Sequence, residues 1–364
     1  MRKFFQWLLL RPVLWGTKKF SSKPDKERVF KALSRLYRRI TKNPGKKGLI
    51  IPFLLYDGKF IIFSDQHKGA RDGADDFTLA EPNYLAALDY YNQNNFHFIS
   101  LGDNEELWEN TLAQVKDCNA ATFEAEKKFI ERSAFVKIFG NHDLFWQNDP
   151  FAVTQLKAIY GVNVKIYEGV ILPVMIGDKN LNIFCTHGHQ GDAQSDGNWF
   201  SKFFVARIWG PLQGYLRINP NTPAYNNEEK TLHNDIMYKW SAQFNDILLI
   251  TGHTHQPVFE SLTLLEKLYW QMQMARRDHK EDEISKLQEE IKKREKEFSA
   301  VSVDYLTMKP SYFNSGCCCF SDGDITGLEI ENGNIRLIKW QKNQTISQRI
   351  VLDEISLKEV FRNL

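Results

Sequence analysis

Hydrophobic positions in this chain concentrate in short runs, at residues 96–101, 135–139, 181–185 and 247–250, interrupted only by His97, Ser100, Lys137 and Asn182 and each followed within two residues by Gly or His. Runs of this length with no polar alternation predict strands buried on both faces, with functional loops at their carboxyl ends. Between them, helical spacing recurs around residues 78–93, 109–133 and 151–159. The alternation predicts a layered α/β domain. Residues 48–56 and 59–64 flank Asp57-Gly58 and predict a β-hairpin; residues 325–330 and 335–340 do the same about Asn332-Gly333. From 24 to 42, Val29, Leu33, Leu36 and Ile40 recur at helical spacing while Arg28, Lys31, Arg35, Arg38 and Arg39 take the other faces. This predicts a basic amphipathic helix.

Two segments interrupt the alternation. Residues 190–245 carry an unusual aromatic load, including Trp199, Phe200, Phe203, Phe204 and Trp209. Residues 261–299 are heavily charged, with Leu264, Leu268, Met272, Ile284, Leu287 and Ile291 at helical spacing, and predict a protruding helical hairpin turned near residues 279–283. The expected organisation is a basic segment over 1–47, a catalytic-type domain over 48–345 with these two insertions, and a C-terminal tail over 346–364.

Composition narrows the class. With 364 residues, 43% hydrophobic and 25% charged, the chain is ordinary globular material, not a disordered, collagen-like or disulfide-scaffold protein. No run of 18 apolar residues occurs, so a spanning helix is not expected. The net charge of +2 conceals an asymmetry: residues 1–50 hold 15 basic and 2 acidic residues. A basic head on an acidic body predicts an anionic partner for the head. Five cysteines, three of them adjacent at Cys317, Cys318 and Cys319, read as reduced intracellular thiols. The N-terminus imitates a signal peptide from Phe4 to Leu10, but Gln6 interrupts it, Arg11 and Pro12 close it, and no small-residue cleavage site follows. The expectation is a retained segment and a cytoplasmic protein, peripheral on the inner face of the membrane.

The candidate chemistry lies in the loops. Six of nine histidines fall in a series of five: Asp65-Gln66-His67, Gly102-Asp103-Asn104-Glu105-Glu106, Gly140-Asn141-His142-Asp143, His187-Gly188-His189 and Gly252-His253-Thr254-His255. Imidazole, carboxylate and amide oxygen without thiolate form a donor set suited to Zn2+, Mn2+ or iron, and not to a structural zinc finger. His97, His233 and His279 read as structural or exposed, and the three cysteines as small buried strand residues.

In this order, the five loops resemble the signature of the calcineurin-like metallophosphoesterases: D-x-H, G-D-x-x-D/E, G-N-H-D, a following His-Gly and G-H-x-H. The resemblance spans about residues 60–260. It implies an α/β/β/α-type sandwich, here with a helical cap insertion and a protruding helical hairpin, and two divalent transition-metal ions, with Mn2+ first and Fe or Zn2+ as alternatives. It implies that Asp65, His67 and His255 hold one ion and Asn141, His187 and His253 the second, with Asp103 bridging. It places His142 beside the scissile group, oriented by Glu106. The activity implied is hydrolysis of a phosphomonoester, phosphodiester or pyrophosphate bond. Arg71 and His189 are candidate phosphate or substrate contacts.

Within the superfamily, the loops and the insertion at 190–245 look most similar to UDP-2,3-diacylglucosamine pyrophosphatases. That narrower likeness implies a lipid-linked or nucleotide-sugar substrate under an aromatic cap in which Trp199 and Phe203 take part. Against it, His142 stands where many of those enzymes have Arg, and His189 where an Asp is expected. The partners expected are a phosphate-ester substrate and an anionic membrane surface through residues 1–42. Nucleic acid is not expected, because the basic head precedes the fold and offers no obvious stacking platform. Two alternatives stand beside the enzyme: an inactive or weakly active peripheral membrane or scaffold protein on the same fold, and a nuclease.

Overall fold

The computed structural model describes residues 24–72, 75–108, 110–191, 227–294, 308–344 and 346–364. In chain order the elements are α1 (Lys26–Lys42), β1 (Gly48–Ile50), β2 (Phe60–Phe63), α2 (Glu81–Gln93), β3 (His97–Leu101), α3 (Leu112–Cys118), α4 (Ala120–Glu131), β4 (Phe135–Ile138), α5 (Phe145–Asn148), α6 (Ala152–Tyr160), β5 (Ile166–Tyr167), β6 (Gly169–Ile176) and β7 (Lys179–Thr186). The described chain continues with α7 (Asn227–Ser241), β8 (Ile247–Thr251), β9 (Val258–Phe259), β10 (Leu262–Thr263), α8 (Leu264–Arg277), α9 (Glu281–Arg294), β11 (Tyr312–Asn314), β12 (Ile325–Glu331), β13 (Asn334–Asn343), β14 (Ile346–Ser356) and α10 (Leu357–Arg362).

The strands form two seven-stranded sheets, ordered β1-β6-β7-β8-β11-β9-β10 and β14-β13-β12-β2-β3-β4-β5. Their apolar runs are buried on both faces, and strand alternation assigns each side chain to a layer. On β2, Phe60 and Ile62 enter the core between the sheets, while Ile61 and Phe63 pack outward with Tyr84 and Tyr91 of α2. On β8, Leu248 and Ile250 face inward, and Ile247 and Leu249 pack outward with α1 and α7. Helices therefore cover both outer faces, giving the α/β/β/α order. Among the described residues no helix is long and apolar enough to cross a membrane.

The basic helix α1 is part of this sandwich. Asp25 caps it, accepting a hydrogen bond from the Arg28 amide at 2.8 Å. Val29, Leu33, Leu36 and Ile40 are all buried, in one cluster with Ile171, Phe184 and Trp240. Each such side chain stabilises by about 1.5–3 kcal/mol relative to exposure. The basic residues Arg28, Lys31, Arg35, Arg38 and Arg39 remain on the outer, exposed face.

Three expectations need correction. Asp57-Gly58 does turn the chain, with both amides donating to the Leu54 carbonyl, but no hairpin forms. β1 pairs in parallel with β6, whereas β2 lies between β3 and β12 in the other sheet. Strands apolar on both faces need neighbours and cover on both sides, which an isolated hairpin cannot provide. The segment 346–364 is not a tail: β14 pairs along β13 as an edge strand, with a bulge opposite Leu337 and Ile338, and Leu357 and Val360 of α10 are wholly buried. Half-exposed edge strands carry a weak apolar signal. Finally, the last part of the segment expected as a cap over 190–245 belongs to the sandwich, because Ile236, Met237 and Trp240 of α7 pack into the outer core beside α1. Trp199 and Phe203 lie outside the described residues.

Two expectations hold. The hairpin β12–β13 turns at Asn332 and Gly333, both with positive φ, at 53° and 77°. α8 and α9 form the charged helical hairpin, with Leu265, Leu268, Met272 and Ile291 in a small core of their own. A capping box between Thr263 and Glu266 starts α8. Ion pairs from Lys267 to Asp353 and Glu260 tie its base to the sandwich.

Candidate metal centre

The strands β2, β3 and β4 run parallel in one sheet, and β7 and β8 run parallel in the other. Each ends in one of the five motif loops. Main-chain hydrogen bonds lace the first two loops together, from the Asp65 amide to the Gly102 carbonyl and from the His67 amide to the Asp103 carbonyl, both 3.0 Å. Asp143, buried in the third loop, accepts from the Asn104 amide at 2.9 Å and side chain at 3.0 Å, and so joins that loop to the second. Asn314 of β11 donates to the Gly252 carbonyl at 2.7 Å and steadies the fifth loop.

These loops bring all seven expected ligands to one place, in two groups that share Asp103. In the first, His67 Nε2 lies 3.1 Å from His255 Nε2, and His255 Nε2 lies 3.3 Å from Asp65 Oδ1. Asp103 Oδ2 is 3.8 Å from His67 Nε2. In the second, His187 Nε2 is 3.1 Å from Asp103 Oδ2 and 3.2 Å from Asn141 Oδ1, and His253 completes the cluster with Asp103 and His187.

The donors fit divalent cations. Neighbouring donors on a cation with bonds of about 2.1 Å stand roughly 3.0–3.4 Å apart, the separation of the His67–His255, His255–Asp65, His187–Asp103 and His187–Asn141 pairs, whereas His67 stands 3.8 Å from Asp103 and 4.0 Å from Asp65. The Nδ1 of His187 donates to the Leu101 carbonyl at 2.9 Å, leaving Nε2 to act as an electron-pair donor toward Asp103 and Asn141. Five of the seven residues hold left-handed backbone: Asp65, His67, Asp103, His253 and His255, with φ between 49° and 71°. Such strain costs about 1–3 kcal/mol per residue and persists where surrounding structure enforces it. The loops also press together too closely for side chains: a Cβ on Gly140 would stand 2.1 Å from Asp103 Oδ1, and one on Gly252 2.4 Å from Asp65 Oδ2.

Charge follows the same geometry. Burial alone would raise the Asp103 carboxyl, yet His187 and His142 hold it well below its ordinary range. Burial would lower His187 and His255, but Asp103 and Asp65 respectively push them up, to about 9 and about 10. His253 goes the other way: burial, followed by the neighbouring His233 and His187, keeps it neutral, the form that binds a cation.

Beside the candidate metal ligands stands the pair expected to move protons. His142 Nδ1 lies 2.7 Å from Glu106 Oε2, and its ring stacks on Trp108 at 4.1 Å. Glu106 Oε2 also reaches His67 Nδ1 at 2.8 Å, so one carboxylate orients both a ligand and the neighbouring imidazole. Burial would depress His142, but Glu106 and then Asp103 raise it to about 9, while Glu106 itself falls to about 2 against the effect of burial, chiefly through His142.

Other candidates fare differently. The guanidinium of Arg71 is engaged by Glu81 of α2 and by the Cys118 carbonyl at the end of α3. His189 is buried with its ring 5.4 Å from that of His187 and 5.9 Å from Phe139. Sequence reasoning missed Trp108, which no local pattern marks, and His233, whose Nε2 lies 2.9 Å from the Gly188 carbonyl and whose ring lies 5.0 Å from that of His253. It also missed a wholly buried charge network under the loops, in which Glu105 lies 2.8 Å from Lys137 and 3.3 Å from Lys68, and Lys68 lies 2.6 Å from Glu126. Only the position of Lys68 and Glu105 beside ligand residues hinted at it.

Comparison with known proteins agrees with this geometry. The model of the family described as calcineurin-like phosphoesterase matches residues 58–257. No curated protein matches the sequence. Among solved structures, Vacuolar Protein Sorting 29 from Cryptosporidium parvum is 12% identical with a TM-score of 0.36, over 83% of this chain and 99% of that one. A single mutant of Vps29 from Entamoeba histolytica is 12% identical with a TM-score of 0.31, over 81% of this chain and 99% of that one. Likenesses this distant say nothing about what this chain does.

Proposed function

The chain belongs to the calcineurin-like phosphoesterase family, and from that premise we propose that it hydrolyses a phosphate ester or anhydride at a pair of divalent cations. Asp65, His67 and His255 would hold one cation, Asn141, His187 and His253 the other, and Asp103 both. The observation that carries this reading is the complete donor set, assembled from five loops at ligand-to-ligand distances. Two such cations supply Lewis acidity toward phosphoryl oxygens and lower the pKa of a bound water.

The chain's own residues supply the rest. Glu106 fixes His142 through Nδ1, so that Nε2 is the nitrogen left to meet a leaving oxygen. Held protonated by Glu106 and Asp103, His142 can donate a proton as the ester bond breaks. Trp108 against its face limits the ring to one orientation.

For the substrate, the reading favoured is a lipid-linked or nucleotide-sugar diphosphate. In sequence the aromatic segment follows the His187–His189 loop directly and precedes α7, where His233 stands against His253. The described residues that flank it, the His187–His189 loop and His233, therefore stand at the centre. The test is a Mn2+-supplemented panel of p-nitrophenyl phosphate, bis-p-nitrophenyl phosphate, UDP-sugars and lipid-linked diphosphates. Turnover of at least one, lost in Asp103→Asn, is expected. A protein that binds two cations and turns over none of them would be a silent scaffold.

A second reading concerns the head. With the apolar face of α1 docked, its outward face is a row of exposed Arg and Lys. Each basic residue near an anionic lipid surface contributes about 1 kcal/mol of attraction. Peripheral attachment to such a surface would bring the centre to a lipid-linked substrate.

A further inference from the structure

We propose that His233 of α7 is a positioning residue for the second metal position: it fixes the two loops that carry His187 and His253, so that both imidazoles meet one cation. The inference rests on the dinuclear reading above.

His187 and His253 come from different loops, and their rings stand 5.2 Å apart. A main-chain hydrogen bond joins those loops, from the Gly252 amide to the His187 carbonyl at 2.9 Å. The fourth loop needs more than that, because Gly188 and Gly191 both hold positive φ, at 113° and 87°. Glycine enters such angles freely and leaves them as freely, so the shape of this loop depends on outside contacts. It also runs close against its neighbour. A Cβ on Gly188 would stand 3.2 Å from Thr251 Cβ and 3.4 Å from His253 Cβ.

His233 supplies the outside contact. Its Nε2 lies 2.9 Å from the Gly188 carbonyl, which can only accept, so Nε2 carries the proton and donates. The same ring lies 5.0 Å from the ring of His253, at 64° to it. One buried imidazole thus meets the fourth loop by a hydrogen bond and the fifth by packing. The next residue, Asn234, sets where that ring stands. Its amide nitrogen donates to Gln256 Oε1 at 2.9 Å, and its oxygen accepts from Thr254 Oγ1 at 3.2 Å and from the Tyr312 hydroxyl at 2.8 Å. These side chains are all buried, where an unmet donor or acceptor is expensive. The far end of α7 is anchored independently. Ile236, Met237 and Trp240 lie in the outer core, and Trp240 Nε1 donates to Ser34 Oγ at 2.9 Å. A side chain presented from an element held in this way positions its target more precisely than a loop could.

The first position is held by other means. Glu106 orients His67, and the Asp65 and His67 amides bond to the Gly102 and Asp103 carbonyls. Loosening the fourth loop therefore reaches the second position before the first. The donors gathered there are Asp103, His187 and His253, while the proton-bearing nitrogen of His233 is turned to a carbonyl. His233 thus acts on the ligands and not on the cation.

The experiment titrates the metal-free full chain with Mn2+ by equilibrium dialysis and follows the bound ions by electron paramagnetic resonance, in which a coupled pair and a lone ion differ. His233→Ala should weaken one of the two Mn2+ by about 10–100-fold and leave the other, so that the signal of a lone ion replaces that of the pair at limiting Mn2+. His233→Gln keeps an amide donor within reach of the Gly188 carbonyl and should recover most of the lost affinity. In the His253→Ala background, where the second position should already be empty, His233→Ala should cost the remaining Mn2+ nothing. Trp240→Phe loses the bond to Ser34 at the other end of α7; it should unfold at a lower temperature and still bind both ions. If His233→Ala does not fold, His233→Leu takes its place with the same expectations. Parental Mn2+ binding in the Ala variant, equal losses in Ala and Gln, a further loss in the His253→Ala background, or as large a loss in Trp240→Phe each overturns the inference and leaves the dinuclear reading intact. A parent chain that never binds two Mn2+ defeats both.

Discussion

Asp103 sits where both halves of the centre meet. Its Oδ1 accepts the His142 amide at 2.8 Å, and its Oδ2 faces His187 and His67. Asp103→Asn should therefore reduce bound metal at both positions together, whereas His253→Ala should leave the His67–His255 position occupied; elemental analysis of the two variants separates these outcomes. His142→Ala should retain both metals and lose about 10²–10⁴ in rate, the span usual for an acid–base group. That loss should shrink as the leaving group becomes more acidic, and a loss independent of the leaving group would mean that His142 only positions or stabilises charge. Protons add a third test. Without metal, His187 and His255 hold theirs up to about 9 and about 10, so cation binding at pH 7 must displace them. Mn2+ affinity should rise with pH toward those values, with proton release visible as buffer-dependent binding heat in calorimetry. Binding heats that do not depend on the buffer would refute this.

Among the elements, α1 shows how a segment that reads as an appendage becomes part of the core. Its apolar stripe fills the groove formed by β6, β7 and α7 rather than standing free. Leu33 has no exposed surface, and Leu33→Ala should cost about 2–5 kcal/mol, read as a lowered midpoint in urea unfolding. Loss of the cap in Asp25→Ala should cost only about 0.5–2 kcal/mol in the same assay. Equal effects from both would mean that the stripe is not packed as described. The same packing implies that a chain beginning at Gly48 would uncover Ile171, Phe184 and Trp240, so the head cannot be removed without harm to the sheet.

Across the whole molecule, the centre rests on a plinth of buried charge. Lys68, Glu105, Lys137 and Glu126 all have fully buried side chains, and Tyr84 and Tyr160 donate to Glu126 at 3.1 and 2.6 Å. The network joins the loops after β2 and β3 to β4, α2, α4 and α6, so the ligand loops are held from below as well as by each other. Removing one partner leaves an uncompensated buried charge, and Glu105→Gln should destabilise the fold by about 3–5 kcal/mol. Thermal unfolding of that variant tests it. Attachment to a membrane also belongs to this scale. Full-length protein should float with anionic vesicles and be released by salt. Replacing Arg28, Lys31, Arg35, Arg38 and Arg39 with Gln should abolish flotation without lowering stability, since these side chains are exposed and the docked stripe is untouched. Flotation unchanged in that variant would remove the basic row from the membrane reading.

The site was more legible in the sequence than the architecture around it. The donor-bearing loops stood out because a metal centre demands particular donor atoms and short buried strands place them just after apolar runs; the roles of the seven candidate ligands, His142 and Glu106 came from the resemblance to the calcineurin-like metallophosphoesterases. The layered α/β class was legible for a similar reason, since runs apolar on both faces require cover on both faces. What the sequence could not state was which strands pair. The turn at Asp57-Gly58 is a local event, but whether it closes a hairpin or carries the chain between sheets depends on partners more than a hundred residues away. The partners of Arg71 were equally illegible, because its guanidinium meets Glu81 and the Cys118 carbonyl, which lie far from it in sequence or on other elements. Trp108 over His142, His233 against His253 and the buried Lys68–Glu105–Lys137–Glu126 network likewise have no local signature. Donor identity and burial periodicity are properties of neighbouring residues and can be read along the chain; strand pairing, ring orientation and charge compensation depend on distance in space, and only the folded structure decided them.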